Sequence, residues 1–195
     1  MRHANQDHLA GDEERTLLRV GAVVVHPGHG AGRIVAREKR QDRGAMRVVV
    51  VLELCDGLLV TLPLELARTL LRPPLSQGDL GRVQETLRLA PPPSEDGWLK
   101  RRKDTQLKLT HGSPIELAEV VRDAARRQQR LLASKSGAFL STSERALYAR
   151  ARRLLAGEIG LANGLELEAA DAWIDKQLDT TSHLANEGDP TEGRG

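Results

Sequence analysis

Arg47-Val48-Val49-Val50-Val51-Leu52-Glu53-Leu54 leads into Asp56-Gly57, then Leu58-Leu59-Val60-Thr61-Leu62, with Pro63 closing the run. β-branched and aliphatic residues fill both flanks, and Asp-Gly between them is the strongest hairpin signal in the chain. Both turn positions tolerate the positive φ that a tight turn needs. The unbroken apolar run before the turn predicts a strand buried on both faces, or one whose outer face is also covered.

Further strands are expected upstream. Val20-Gly21-Ala22-Val23-Val24-Val25 ends at Pro27-Gly28, and Gly30-Ala31-Gly32 leads into Arg33-Ile34-Val35-Ala36-Arg37. That reads as strand, glycine turn, strand. Glu38 to Gly44 reads as a charged loop turning at Arg43-Gly44. Several short strands with tight turns in about 55 residues predict a small, strongly bent barrel of Tudor or SH3 type. Gly28-His29-Gly30-Ala31-Gly32 has the look of a phosphate loop, but such a loop must open a helix, and here a strand follows. His26 and His29 lack an evident third metal ligand nearby.

Downstream the pattern changes to helical. Arg72 to Gly78 reads as a linker, and Asp79 to Leu89 as a short helix with Leu80, Val83 and Leu87 on one face and Asp79 as cap. Pro91-Pro92-Pro93 is a semi-rigid spacer. Ser94 is expected to cap a helix to about Leu109. Ser113-Pro114-Ile115-Glu116 and Ser141-Thr142-Ser143-Glu144 read as capping boxes. The first opens a helix to about Ser134 with Ile115, Ala118, Val121, Ala125 and Leu132 inward, and its arginines 122, 126, 127 and 130 elsewhere. The second opens a helix ending at Asn163-Gly164. A last helix, Leu165 to Leu178, places Trp173 among its core positions.

The expected fold class is therefore α+β, a small β-barrel followed by an all-α bundle. The expected layout is a disordered extension over 1–16, a β domain over 17–72, a linker over 73–78, a helical domain over 79–178 and a disordered tail over 179–195.

Composition narrows the function. With 195 residues and a net charge of +2, any nucleic-acid contact must come from local clustering of charge. The single Cys55 excludes an intramolecular disulfide and a cysteine-rich zinc site. A polar start with no signal-peptide pattern, and no apolar run near a bilayer span, lead to the expectation of a cytoplasmic protein. No nucleophile, acid–base pair or metal cluster stands out, so no enzyme activity and no cofactor are expected.

Aromatics are only 2% of the chain, so each of the two tryptophans needs a reason. Trp98-Leu99 directly precedes Lys100-Arg101-Arg102-Lys103. One reading is a half-buried Trp at a helix start with a solvated basic face behind it. The other is a ring offered to DNA beside a phosphate-binding patch. The arginines of the two later helices, among them Arg150, Arg152 and Arg153, read as solvated faces or as further phosphate contacts.

Val20-Gly21, then Val24-Val25-His26-Pro27-Gly28-His29-Gly30, resembles the opening of the CarD family of bacterial transcription regulators, a module shared with transcription-repair coupling factor. Ala22 stands where the family usually has Asp or Glu, and His26 where it has Tyr. Gly97-Trp98-Leu99-Lys100-Arg101-Arg102 is similar to the family's W-x-x-R stretch. Ala118-Glu119-Val120-Val121-Arg122-Asp123, with the later Ser143-Glu144-Arg145, is similar to its second signature.

The resemblance implies a Tudor-like module that grips the RNA polymerase β subunit through a β edge and basic contacts. Arg40 matches an arginine making such a contact, and Arg33 and Arg37 join it as candidates. A second family arginine is replaced by Thr61. It also implies that Trp98 wedges into the minor groove at the upstream edge of the promoter bubble. Lys100, Arg101, Arg102 and Lys103 would hold the backbone without reading sequence; Arg102 replaces a family aromatic. The implied protein is a monomer that stabilises the open complex and associates with the nucleoid through polymerase. An alternative is a docking adaptor whose helical bundle binds another protein rather than DNA.

Overall fold

The computed structural model describes residues 17–42, 44–55, 57–90, 97–134 and 137–186, with side chains described through Asp179. The expected N-terminal extension, the Ser94 cap, the proline run and most of the expected tail lie outside the described residues. Two compact units divide between Pro74 and Leu75.

The first unit is a curled antiparallel sheet, a half-barrel, in the order β1 (Val23–His26), β2 (Gly30–Asp42), β3 (Ala45–Leu54), β4 (Leu59–Pro63). Gly21, at φ 90°, turns the chain just before β1, so the strand begins at Val23 rather than Val20. The β3 run is buried as its composition predicts: Val49, Val50, Val51, Leu52 and Leu54 are all nearly inaccessible. Val50, Leu52 and Leu54 face a core shared with Leu18, Val24, Ile34, Leu62, Ala67 and Leu71.

The glycines of the Gly28–Gly32 stretch serve the sheet. Gly30 takes a φ of 88° at the β1–β2 turn. A Cβ on Gly32 would lie 2.5 Å from the Glu53 carbonyl oxygen, so two backbones approach there as only glycine permits.

Two expectations in this unit are corrected. Glu38 to Asp42 is not a loop: β2 continues to Asp42, with Lys39 opposite Val48 and Arg40 opposite Arg47, and the chain turns only after it, where Gly44 takes a φ of 85°. Side-chain polarity does not oppose a ladder whose faces are both solvated, so the charged residues extend a ribbon past the ends of β1 and β4. The stretch after Pro63 carries no clear signal for an element, yet it forms the short helix α1 (Leu64–Leu70). Seven residues make a helix too short to be stable alone. Ala67 and Leu71, buried in the core, supply the packing it needs. The chain then returns to β1, where Val25 and Arg72 exchange backbone hydrogen bonds of 2.9 and 3.1 Å.

The second unit contains α2 (Gln77–Arg88), α3 (Trp98–His111), α4 (Pro114–Ala133), α5 (Thr142–Asn163) and α6 (Leu167–Asn186). Leu80, Val83, Leu87, Leu117, Val121, Leu155, Ile159 and Ile174 are among the residues of its aliphatic core. Trp173 packs against that core, partly buried, as its spacing predicts.

Helix ends differ in instructive ways. Ser76, not Asp79, caps α2, its hydroxyl accepting from the Asp79 amide at 3.1 Å; the helix thus starts inside the expected linker. The capping box at Ser141–Glu144 forms, and Gly164 ends α5 in the left-handed conformation. Ser113 makes no side-chain cap; Glu116 turns instead to His111, at 3.2 Å. Leu132, expected inward, is exposed, while Arg122, expected outward, is buried. Helix α6 runs on to Asn186, through polar residues expected to be tail. Once a packed helix is nucleated, each further residue adds a bond without a new nucleus.

Candidate functional site

Helix α3 opens at Trp98, with Gly97 as its cap residue. Its sequence has no strong apolar stripe, and among its described residues only Leu109 is fully buried. The exposed side therefore carries most of the chemistry. Trp98 is 39% exposed, and the Arg102 guanidinium lies over its ring, 5.4 Å from the centroid. One helical turn separates them, which is the spacing that stacks side chains on a helix. Lys100 and Lys103 are exposed beside them. The helix N-terminus adds a partial positive charge at the Trp98 end.

Arg101 is placed differently from its neighbours. It is half-buried, and its Nη2 lies 3.8 Å from Glu144 Oε1 at the start of α5. The same oxygen lies 3.3 Å from Arg127 Nε on α4. The other oxygen, Oε2, accepts from the Ser141 amide at 3.0 Å and its hydroxyl at 2.7 Å. Burial works to raise the Glu144 pKa, but the Ser141 hydrogen bonds and the two arginines outweigh it and hold the carboxyl below its ordinary value.

Lower on α3, Lys108 reaches Asp104 and Glu119 of α4, both at 3.1 Å. Burial opposes its charge, yet the two carboxylates prevail and raise its pKa. A groove of about 80 Å³, lined by Arg101, Thr105, Lys108, Val120, Glu144 and Tyr148, lies under the helix.

The other arginines of the bundle divide. Arg122 bonds Asp123 at 2.8 Å. Arg152 is tied to Asp171 and Asp175, and the Asp171 hydrogen bonds chiefly hold its pKa well above the ordinary value. Arg130, Arg150 and Arg153 are exposed. The sequence marks Glu144 as a cap and as part of the Ser143-Glu144-Arg145 signature, but gives no sign of its contacts with α3 and α4, nor of the Lys108–Glu119 pair. The spacing within one helix signals a cap, whereas a pairing between helices has no local signal.

In the β unit, a bulge between Ile34 and Ala36 shifts the β2–β3 register. Residues directly opposite on paired strands point to the same face. Arg33 opposite Glu53, Arg40 opposite Arg47, and Thr61 opposite Val51 therefore share the face away from the core. Arg37, opposite the core residue Val50, falls on the other face. Arg33 donates to the Gly21 carbonyl at 2.8 Å, and Arg40 pairs with Glu38 at 2.9 Å. Thr61 lies on β4, at one edge of the sheet, where β4 pairs with β3 alone.

Among the described residues, no cluster of metal-ligating side chains is found, and no helix is long and apolar enough to cross a membrane. Residues 18–74 match the family model of the CarD-like/TRCF RID domain. Residues 82–175 match that of the CarD, C-terminal domain. The first match falls within the β unit and the second within the helical unit.

Proposed function

Because the chain belongs to the CarD family of RNA polymerase-interacting transcription regulators, we propose that it stabilises the promoter open complex through two separate contacts. The β unit binds the RNA polymerase β subunit through its exposed edge and the face carrying Arg33, Arg40 and Thr61, with Arg37 a further contact near it. The helical unit inserts Trp98 into the minor groove at the upstream edge of the bubble. Lys100, Arg102 and Lys103 contact the backbone there.

The observation that carries the reading is the exposure of Trp98 at the start of α3, with Arg102 stacked on it. An apolar ring left in water beside cations suits a partner that is both stacked and anionic. Stacking at a bubble edge meets little resistance, because the helix is already broken there. A contact of about 1–3 kcal/mol shifts open against closed complex by roughly 5- to 150-fold. Tethering by the β unit raises the local concentration of the helical unit, so a weak DNA contact suffices. None of the contacts reads base edges in the major groove, so the effect is independent of recognition sequence. No cofactor takes part, and the protein acts as a monomer bound to polymerase in the cytoplasm.

The test is the lifetime of the open complex on one promoter with cognate polymerase, with and without the protein. An excess of isolated β-subunit lobe should titrate the effect away. A lifetime that does not respond to the protein would sink the reading.

A further inference from the structure

We infer that Arg101 is a positioning residue rather than a phosphate contact: with Glu144 and Arg127 it mounts the N-terminal half of α3 on the bundle and thereby fixes where Trp98 stands. The inference rests on the reading above, in which Trp98 is the DNA-contacting group. It concerns what holds that group in place.

Three observations support the mount. First, α3 has little apolar hold on the bundle: Leu109 is buried near its C-terminal end, whereas Leu99 and Leu107 are 72% and 54% exposed. Eleven residues of helix, about 16 Å, separate Leu109 from Trp98. A small tilt about Leu109 therefore becomes a large displacement of the ring. Second, Arg101, one turn from Trp98, is half-buried where Arg102 is exposed, and its Nη2 lies 3.8 Å from Glu144 Oε1. Third, Glu144 is itself fixed. The Ser141 amide and hydroxyl hold one carboxylate oxygen, and Arg127 of α4 engages the other. One carboxylate thus joins the Trp98 turn of α3, the body of α4 and the first turn of α5. Its side chain is 18% exposed, so solvent screens these charges less than it screens a surface pair.

This geometry gives Arg101 a task that Lys100, Arg102 and Lys103 do not share. A guanidinium committed to Glu144 is not presented to DNA. A charge on DNA would have to draw it out of a partly desolvated pair.

The experiment uses the full chain and four single variants: Arg101→Gln, Arg102→Gln, Glu144→Gln and Ser76→Ala. Glutamine at position 144 keeps the reach and acceptor of a capping box while removing the charge. Ser76→Ala removes the side-chain cap of α2 but touches none of the three ion-pair residues, so it controls for simple destabilisation. Amide hydrogen exchange of the free protein is read over residues 98–106. The salt slope of DNA binding is read for each variant, and for Arg101→Gln/Glu144→Gln together.

The expected result is exchange over 98–106 faster by roughly fivefold in Arg101→Gln and in Glu144→Gln, no further change in the double variant, and little change in Ser76→Ala. The salt slope of Arg101→Gln should stay at the wild-type value, whereas Arg102→Gln lowers it by about 1. Wild-type exchange in Arg101→Gln together with a salt slope lowered by about 1 would make it a phosphate contact and overturn the inference. Because exchange is read without DNA or polymerase, it decides the mount even if the open-complex lifetime fails to respond to the protein.

Discussion

The guanidinium of Arg102 lies over the indole of Trp98, 5.4 Å from the ring centroid. This cation–π contact covers one side of a partly exposed aromatic and, on the proposed reading, sets the charge beside the DNA backbone. It also gives the first prediction. Arg102→Ala should weaken DNA binding by the loss of one phosphate contact. It should lower the salt slope by about 1. Trp98 fluorescence should report a more solvated ring. Affinity measured across a salt series is the check.

The shared face of Arg33 and Arg40 gives the second. Arg33→Ala and Arg40→Ala should each weaken binding to the isolated polymerase β subunit by a few-fold, about 0.5–1 kcal/mol. Arg37→Ala, on the opposite face of β2, should weaken it less. Titration calorimetry at fixed salt checks this. Equal losses at all three positions would contradict the register that separates them.

Gly32 gives the third. A methyl group there would meet the Glu53 carbonyl at 2.5 Å and Leu52 Cδ1 at 2.9 Å. The first contact is backbone and cannot rotate away. Gly32→Ala should destabilise the β unit by about 1–3 kcal/mol. Chemical denaturation followed by far-ultraviolet circular dichroism measures the loss. Both tryptophans lie in the helical unit, so their fluorescence should change little.

His26 gives the fourth. Burial chiefly, then the neighbouring His29, push its pKa below the ordinary value of 6.5. Its Nδ1 accepts from the Gly28 amide at 3.0 Å, which also requires an unprotonated nitrogen. With the folded value lowered, the unfolded state binds the proton first as the pH falls. The contribution to stability is full above the unfolded value and is lost as the pH falls through the folded one. The β unit should therefore have a lower denaturation midpoint at roughly pH 5.5 than at roughly pH 8. His26→Asn, which keeps an acceptor for the turn, should flatten part of that dependence. An imidazole titration by nuclear magnetic resonance should place the His26 midpoint below that of a free histidine.

Much of the fold could be read from local signals. The β3–β4 hairpin with Gly57 at a φ of 80°, the glycine turn before β2, the Ser141–Glu144 box and the Gly164 stop each arise from residues close in sequence, whose chemistry dictates the local backbone. What escaped reading depends on partners distant in sequence. Helix α1 is stable only because Ala67 and Leu71 reach a core built by the strands. The charged end of β2 has the polarity of a loop, yet Arg40 and its neighbours have ladder partners in β3 that no local signal reveals. Arg122 reads as solvated by its charge, but it is buried beside Asp123.

The candidate site was legible to the same degree. Trp98 and its cations were evident as a run in the sequence, and the matching family supplies their context. The division among those cations was hidden. Nothing local distinguishes Arg101 from Arg102; the distinction comes from Glu144, which the fold brings under α3. The bulge at Val35 has a similar effect in the β unit. By adding one residue to one strand it takes Arg37 off the face of Arg33 and brings Arg40 onto it.

The most direct measurement is the open-complex lifetime on one promoter with cognate polymerase, comparing no protein, wild type and Trp98→Ala, with polymerase binding measured in parallel. The account predicts that wild type lengthens the lifetime and that Trp98→Ala loses most of the gain, roughly 5- to 150-fold, while binding polymerase as before. A Trp98→Ala protein that binds polymerase and lengthens the lifetime as well as wild type would contradict the wedge. The function of the helical unit would then have to be sought in binding another protein.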